Sequence, residues 1–245
     1  MPAFTLAVDI GGSGVKAAVL DEEGAMLTER VRVDTPKPCP PELLVETVLG
    51  MTQGMHAYDR VSVGFPGVVR RGKILTAPNL NTEIWKGYDL RSALADKLGK
   101  PVRVKNDAAL QGLGAITGDG VECVITLGTG FGFSLFDDGF ISPQLEMAHH
   151  PFHDDETYEE QLGKKALKSV GVERWNKRLR RAIGTLHDLT AFDRMFIGGG
   201  NAKNVDVKQL PDNIQLVSND LGMQGGIWLW RNKHEAAGQS STRET

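Results

Sequence analysis

Apolar residues fall in short blocks whose period changes along the chain. Phe4 to Ile10 is an apolar run of strand length and predicts a buried strand. Val15 to Leu20 and Met26 to Val33 follow as strands, with Asp21-Glu22-Glu23-Gly24 between them as a hairpin signal. Pro36, Pro38, Pro40 and Pro41 mark a loop. Pro41 opens a helix that the pattern carries through about Ala57, with Leu44, Val48 and Met51 on one face. Val61 to Phe65 predicts a strand closed by Pro66 and Gly67. LRSALADKLG predicts a helix ending at Gly99, and Val102 to Lys105 another strand. Asn106-Asp107 then opens the helix AALQGLGAI.

TGDG interrupts the pattern, and at Val121 the opening unit returns. AVDIGGSGVKAAVLDEEGAM (Ala7 to Met26) and VITLGTGFGFSLFDDGFI (Val124 to Ile141) share one layout. Each runs from an apolar strand into a turn of small residues, a second apolar run, and an acidic turn ending in glycine. DETYEEQLGKKALKSVG predicts one helix and VERWNKRLRRAIGTLHDL a second, with Trp175, Leu179 and Ile183 along its apolar stripe. Arg194 to Ile197 predicts a strand entering Gly198-Gly199-Gly200, IQLV a late strand, and GGIWLW the start of a last helix. The pattern is a duplicated α/β unit: two lobes with an interlobe cleft, where ligands usually bind. The expected division is a first lobe over 1–110, a second over 111–232 and a flexible polar tail over 233–245. The hinge falls between Asp107 and Gly120, and the last helix is free to pack back on the first lobe.

Composition narrows the class of ligand. A net charge of −3 argues against a nucleic-acid partner. No apolar window reaches membrane-spanning length, and no leader pattern opens the chain, so neither a membrane partner nor secretion is expected. Cys39 and Cys123 form no CxxC or Cys/His ladder, which points to a reducing cytoplasm and away from a structural zinc site.

The glycine turns carry the first candidate chemistry. Gly11, Gly12 and Gly14 allow close approach and positive φ, and backbone N–H groups in such a turn form an anion-binding nest. Ser13 adds a hydroxyl and Lys16 a positive charge. Asp9 stands just before the turn; a carboxylate beside phosphate needs a cation between, which suggests Mg²⁺ held directly or through water. The other reading is a tight hairpin, because GGSG matches neither the Walker pattern nor GxGxxG. Gly128-Thr129-Gly130 repeats the small-residue turn, and Ile197 to Asn204 gives a third strand-ending cluster. Three such clusters in a two-lobed chain favour one polyanion gripped from several sides.

VDIGGSGVKAAVLD, GFPGVV, VKNDAALQG, ITLGTGFGFSLFDDG, LEMAHHPF and FIGGGNAKN appear in the order found in the ROK family of sugar kinases. The sequence resembles that family, most closely its polyphosphate glucokinases, over roughly residues 5 to 230, including LPDNIQLVSNDLGMQGG. The resemblance implies the two-lobed actin-like (ribonuclease H-like) ATPase fold, Mg²⁺ and a homodimer. It implies that Asp107, in the Asn-Asp pair, is the catalytic base for a sugar hydroxyl. The residues alone leave a second reading, in which Asn106 or Asp107 caps the following helix. The family's sugar-binding positions fall on Asn79, Asn106, Asp107, Glu146, His149 and a later glutamate, assigned to Glu159 with Glu160 as alternative. Its donor-side glycine loop falls on Gly198, Gly199, Gly200 and Asn201, with Lys203 nearby.

The chain departs from the pattern in two places. Ala148 stands where the Glu-x-Gly-His motif has glycine, which is tolerated only if φ there is negative. The cysteine-rich zinc segment of many members is missing, leaving His149, His150 and His153 as the metal-capable residues.

Residues 164–181 hold eight Lys or Arg and one acid. Such a strip suits inorganic polyphosphate as donor, with ATP as alternative or addition; the competing reading is the solvated face of an amphipathic helix. The expected reaction is glucose to glucose 6-phosphate. Alternatives are another hexose (fructose, mannose or an amino sugar) or a non-catalytic sugar sensor.

Overall fold

The computed structural model describes residues 3–218 and 221–231. They fall into two compact units, one within Met1–Gly114 and Gly222–Thr245, the other Ala115–Leu221. The tail expected over 233–245 lies outside the described residues.

In the first unit, β1 (Thr5–Ile10), β2 (Val15–Leu20) and β3 (Val31–Val33) form an antiparallel meander. There follow α1 (Pro41–Met51), β4 (Arg60–Phe65), the small hairpin β5 (Val69–Arg70) and β6 (Lys73–Ile74), α2 (Thr82–Trp85), α3 (Leu90–Leu98), β7 (Val102–Asn106) and α4 (Asp107–Leu113). The sheet order is β3-β2-β1-β4-β7, parallel from β1 to β7. Leu6, Val8, Leu44, Val48, Val63, Phe65, Trp85 and Leu94 fill the core on one sheet face. Trp85 is buried completely because its indole N–H reaches the Cys39 carbonyl at 2.9 Å.

The second unit holds β8 (Val121–Leu127), β9 (Phe131–Asp137), β10 (Phe140–Ile141), β11 (Pro151–His153), β12 (Glu156–Thr157), α5 (Tyr158–Leu162), α6 (Lys164–Thr190), β13 (Arg194–Gly198) and β14 (Ile214–Leu216). Its sheet runs β10-β9-β8-β13-β14, antiparallel in the hairpins and parallel from β8 to β14. Strand order and directions repeat those of the first unit, so the duplication seen in the sequence is a duplication of topology.

The last helix, α7 (Leu221–Arg231), belongs to the first unit. Met223 and Ile227 pack on Ala7, Ala18 and Leu20, and the Ser62 hydroxyl donates to the Gly226 carbonyl at 2.6 Å. Gly225 lies so close to α4 that a Cβ there would overlap the Leu110 carbonyl. The division falls after Gly114, inside the stretch expected as hinge, and the last helix packs on the first unit.

Several predicted elements differ in extent. α1 stops at Met51 rather than near Ala57, and Gly54 beyond it takes φ of 78°. Met26 to Val33 is a strand only at Val31–Val33, with one isolated bridge between Leu20 and Met26. The helix read across DETYEEQLGKKALKSVG is three pieces. Glu156–Thr157 is strand, α5 ends at Leu162, and α6 begins at Lys164; the break inside α6 at Gly171, where φ is 78° and ψ 165°, falls where the pattern ends this helix and starts the next.

Candidate active site

In the first unit the candidate residues gather at the C-terminal ends of β1, β4 and β7, the edge where open α/β sheets bind ligands. Register sets Asp9 beside Gly64, Gly64 beside Lys105, and Phe65 beside Asn106. The β1–β2 turn is Gly11 to Gly14, closed by Gly11 N–H to the Gly14 carbonyl at 2.9 Å. The Thr35 hydroxyl fixes it from outside by donating to the Gly11 carbonyl at 2.6 Å.

The expectation about these glycines needs correction. None of Gly11, Gly12 and Gly14 has positive φ. Space is what constrains Gly12, where a Cβ would sit 3.0 Å from the Asn79 Cβ; a Cβ on Gly14 would meet the Arg32 guanidinium, the far end of a flexible side chain. Close approach thus brings Asn79 against the turn. A second finding concerns charge. Lys16 Nζ and Asp9 Oδ2 are 2.8 Å apart, so the phosphate-seeking cation and the metal-seeking carboxylate are paired with each other.

At the β7–α4 junction the two neighbouring residues divide the work. Asn106 is buried; its Oδ1 accepts from Ala109 N–H at 3.1 Å, capping α4, and its Nδ2 donates to the Gly67 carbonyl at 3.2 Å. Asp107 is therefore not the cap. It is the first helical residue, half-buried, with Oδ1 accepting from Ala108 N–H at 2.8 Å. Gly64 lies beside it, in van der Waals range of the Asp107 Cα.

In the second unit the β8–β9 turn is Gly128 to Gly130, closed by Gly128 N–H to the Gly130 carbonyl at 3.1 Å. Two elements brace it. Asn201 donates from Nδ2 to the Gly128 carbonyl at 2.9 Å and from its backbone to Leu127 at 2.8 Å. Gly199, at φ 92°, lies so close to the Leu127 backbone that any side chain there is excluded. Gly200 and Lys203 are exposed beside this brace. From the other side, Lys164 N–H, opening α6, reaches the Gly128 carbonyl at 3.1 Å.

Glu159 lies over Gly130: a Cβ on that glycine would overlap its carboxylate. Glu160 is occupied elsewhere, in a capping box with Thr157, whose N–H and hydroxyl meet its Oε2 at 2.9 and 2.8 Å. Those two bonds hold its carboxyl below the usual range. Glu146 precedes and His149 ends the short 3₁₀ turn Met147–His149, on which α5 packs. Ala148 lies inside that turn, buried and outside the positive-φ region, so its methyl group meets no backbone strain.

Among the described residues no three His, Cys, Asp or Glu side chains converge as metal ligands. Both cysteines are buried free thiols, and burial pushes Cys123 up to about 11, so neither offers a thiolate nucleophile.

Sequence reasoning missed Thr35, Arg32 and the Gly163 contact beneath the second turn. Their partners lie 24, 19 and 34 residues away (Gly11, Ser13 and Thr129), beyond the reach of local patterning.

The ROK family pattern matches residues 5–143, more than half of the chain. The chain belongs to the ROK family. The polyphosphate glucokinase of Mycobacterium tuberculosis is 27% identical over 231 residues, covering 90% of this chain and 87% of that one. The crystal structure of the inorganic polyphosphate/ATP-glucomannokinase from Arthrobacter sp. strain KM superimposes with a TM-score of 0.81 at 29% identity, over 97% of this chain and 99% of that one. A ROK family glucokinase from Streptomyces griseus, solved with glucose and AMPPNP, gives 0.76 at 21% identity over 92% and 98%. The fold is the two-lobed actin-like ATPase fold of these ROK kinases. No helix among the described residues is long and apolar enough to cross a membrane.

Proposed function

We propose that this chain transfers a phosphoryl group from inorganic polyphosphate, ATP or both to glucose, forming glucose 6-phosphate. The observation that carries the reading is the β7–α4 junction, where Asn106 caps the helix and Asp107 stands next to it as the first helical residue at the C-terminal end of β7. The Asp107 carboxylate takes the proton of the sugar hydroxyl as its oxygen bonds to the terminal phosphorus, while the bond to the donor's bridging oxygen breaks. The residues proposed for the sugar are Asn79 and Asp107 in the first unit and Glu146, His149 and Glu159 in the second. Asn106 acts as their positioning neighbour. The donor side comprises Gly11, Gly12, Ser13, Gly14 and Lys16, with Gly128, Thr129, Gly130, Gly199, Gly200, Asn201 and Lys203.

Asp9 fits the Mg²⁺ expectation: it is about one-third exposed, and only one of its oxygens is bonded to Lys16. Mg²⁺ commonly takes one carboxylate and fills its shell with phosphates and water. When bound, it would neutralise charge on the transferring group. The similarity to polyphosphate-using relatives and one geometric fact support polyphosphate as donor. The basic residues of α6 start at the second glycine turn, through Lys164, with exposed Lys165 and Lys168 before the break at Gly171 and exposed Arg174, Lys177 and Arg181 after it. The buried free thiols suit a cytoplasmic enzyme, and a homodimer remains part of this reading, to be measured by light scattering.

A matrix of donors against sugars tests the proposal. Glucose turnover with polyphosphate is expected, falling steeply with added salt, with mannose as the second sugar that the glucomannokinase likeness favours. Arg174→Glu with Lys177→Glu should raise the polyphosphate KM about tenfold at low salt and leave the ATP KM alone. No turnover of any hexose with either donor would refute the reaction; equal salt response for both donors would refute the track.

A further inference from the structure

The sequence pattern gives Arg32 no role beyond a polar place on a short edge strand. The register gives it more. Across β1, β2 and β3, Asp9 stands opposite Lys16 and Lys16 opposite Arg32, so the three side chains form one row on one face of the sheet. That row ends at the first glycine turn. The guanidinium forks: one nitrogen donates to Asp34 Oδ1 at 2.8 Å, the other to the Ser13 carbonyl at 3.2 Å. It lies over Gly14 so tightly that a Cβ there would come within 2.8 to 3.0 Å of three guanidinium atoms. Its side chain is nonetheless 52% exposed, and that of Lys16 37%. Like charges directly opposite each other on a sheet are unfavourable by themselves. Asp9 and Asp34 each pair with one of these cations, yet both cations stay part-exposed beside a turn of small residues at one sheet end, where phosphate oxygens can be shared between them.

We propose that Arg32 is a further donor-binding residue, roofing the Ser13–Gly14 turn and sharing the donor's phosphates with Lys16; this rests on the kinase reading above. A guanidinium has five N–H donors in a planar fork, of which the two bonds described use two, and that fork suits phosphate oxygens. Arg32 holds the turn through Ser13 before the donor arrives and gains phosphate contacts when it does. The sugar is not involved, which makes the role separable from loop folding.

The test is titration of inorganic tripolyphosphate, without sugar, into the wild type, Arg32→Ala and Arg32→Lys, alongside KM values for donor and glucose. Arg32→Ala should weaken tripolyphosphate binding about tenfold, as expected for a charge-assisted bond at a half-exposed site, and raise the donor KM similarly. The glucose KM should stay within about twofold, Tm within about 2 °C, and Arg32→Lys should recover part of the loss. An unchanged tripolyphosphate affinity in Arg32→Ala overturns the proposal. A glucose KM that rises as much as the donor KM also overturns it, by reducing Arg32 to a loop support. A wild type that binds tripolyphosphate but phosphorylates no sugar defeats the kinase reading instead, and the titration still decides the fate of Arg32.

Discussion

Asp107→Asn separates chemistry from folding because the structure makes the two effects unequal. The substituted residue opens α4, but Asn106 is the cap and keeps its bond from Ala109 N–H at 3.1 Å. The bond from Ala108 N–H at 2.8 Å needs only a carbonyl-type oxygen, which asparagine retains. What folding loses is one negative charge in the first helical turn, about 0.3–1 kcal/mol. For a chain of 245 residues that amounts to about 1–4 °C in Tm. What the reaction loses is its proton acceptor. Positioned bases contribute about 10²- to 10⁴-fold, or about 3–5 kcal/mol on the barrier. Formation of glucose 6-phosphate, coupled to its dehydrogenase at saturating glucose and donor, should therefore fall at least a hundredfold in kcat. Glucose affinity, measured by titration, should hold. A kcat within about tenfold of wild type would refute the assignment of Asp107 as base.

Three further outcomes follow from specific contacts. Gly130→Ala pushes a methyl group into the Glu159 carboxylate, so glucose affinity, titrated without donor, should weaken about tenfold; an unchanged glucose affinity would remove Glu159 from the sugar site. Glu160→Gln should lower Tm at neutral pH and do so less as acid is added. The carboxyl's folded pKa is depressed, so its contribution is complete above the ordinary glutamate range and is lost as pH falls through the folded value; melts of both proteins between pH 7 and pH 3.5 read the convergence, and a constant gap would contradict the capping box. Gly225→Ala places a Cβ on the Leu110 carbonyl and should cost about 1–3 kcal/mol by overpacking, visible as a lower Tm; an unaltered melt would mean that α7 does not sit against α4.

Much of the fold was legible because its signal is local and repeated. The paired hairpins at Ala7 and Val124 announce themselves by alternating apolar strands and acidic glycine turns, and both sheets carry the order those hairpins imply. Helix ends were harder to read. Residues 52 to 57 continue a passable helical composition, and the stop comes from the turn after Met51 with Gly54 at positive φ. Gly163 breaks a segment whose pattern runs on, because it is wedged against the carbonyls of Glu159 and Thr129, a packing demand set by the β8–β9 turn. At the site, residue types could be named from sequence, but their bonding could not. Asn106 and Asp107 are equal candidates as letters, and only the hydrogen bonds make one the cap. Lys16 and Asp9 read as separate ligands until strand register makes them a pair.

The placement of α7 bears on how the chain is made. Translation delivers the first sheet before the second unit, yet the apolar patch of Ala7, Ala18 and Leu20 waits for Met223 and Ile227, which leave the ribosome more than a hundred residues later. The second unit is contiguous and has all its partners as soon as Leu221 emerges. Vectorial synthesis thus leaves the earliest-made sheet with a bare back for most of elongation, and chaperone occupancy on stalled nascent chains should concentrate there and vanish once Arg231 is out.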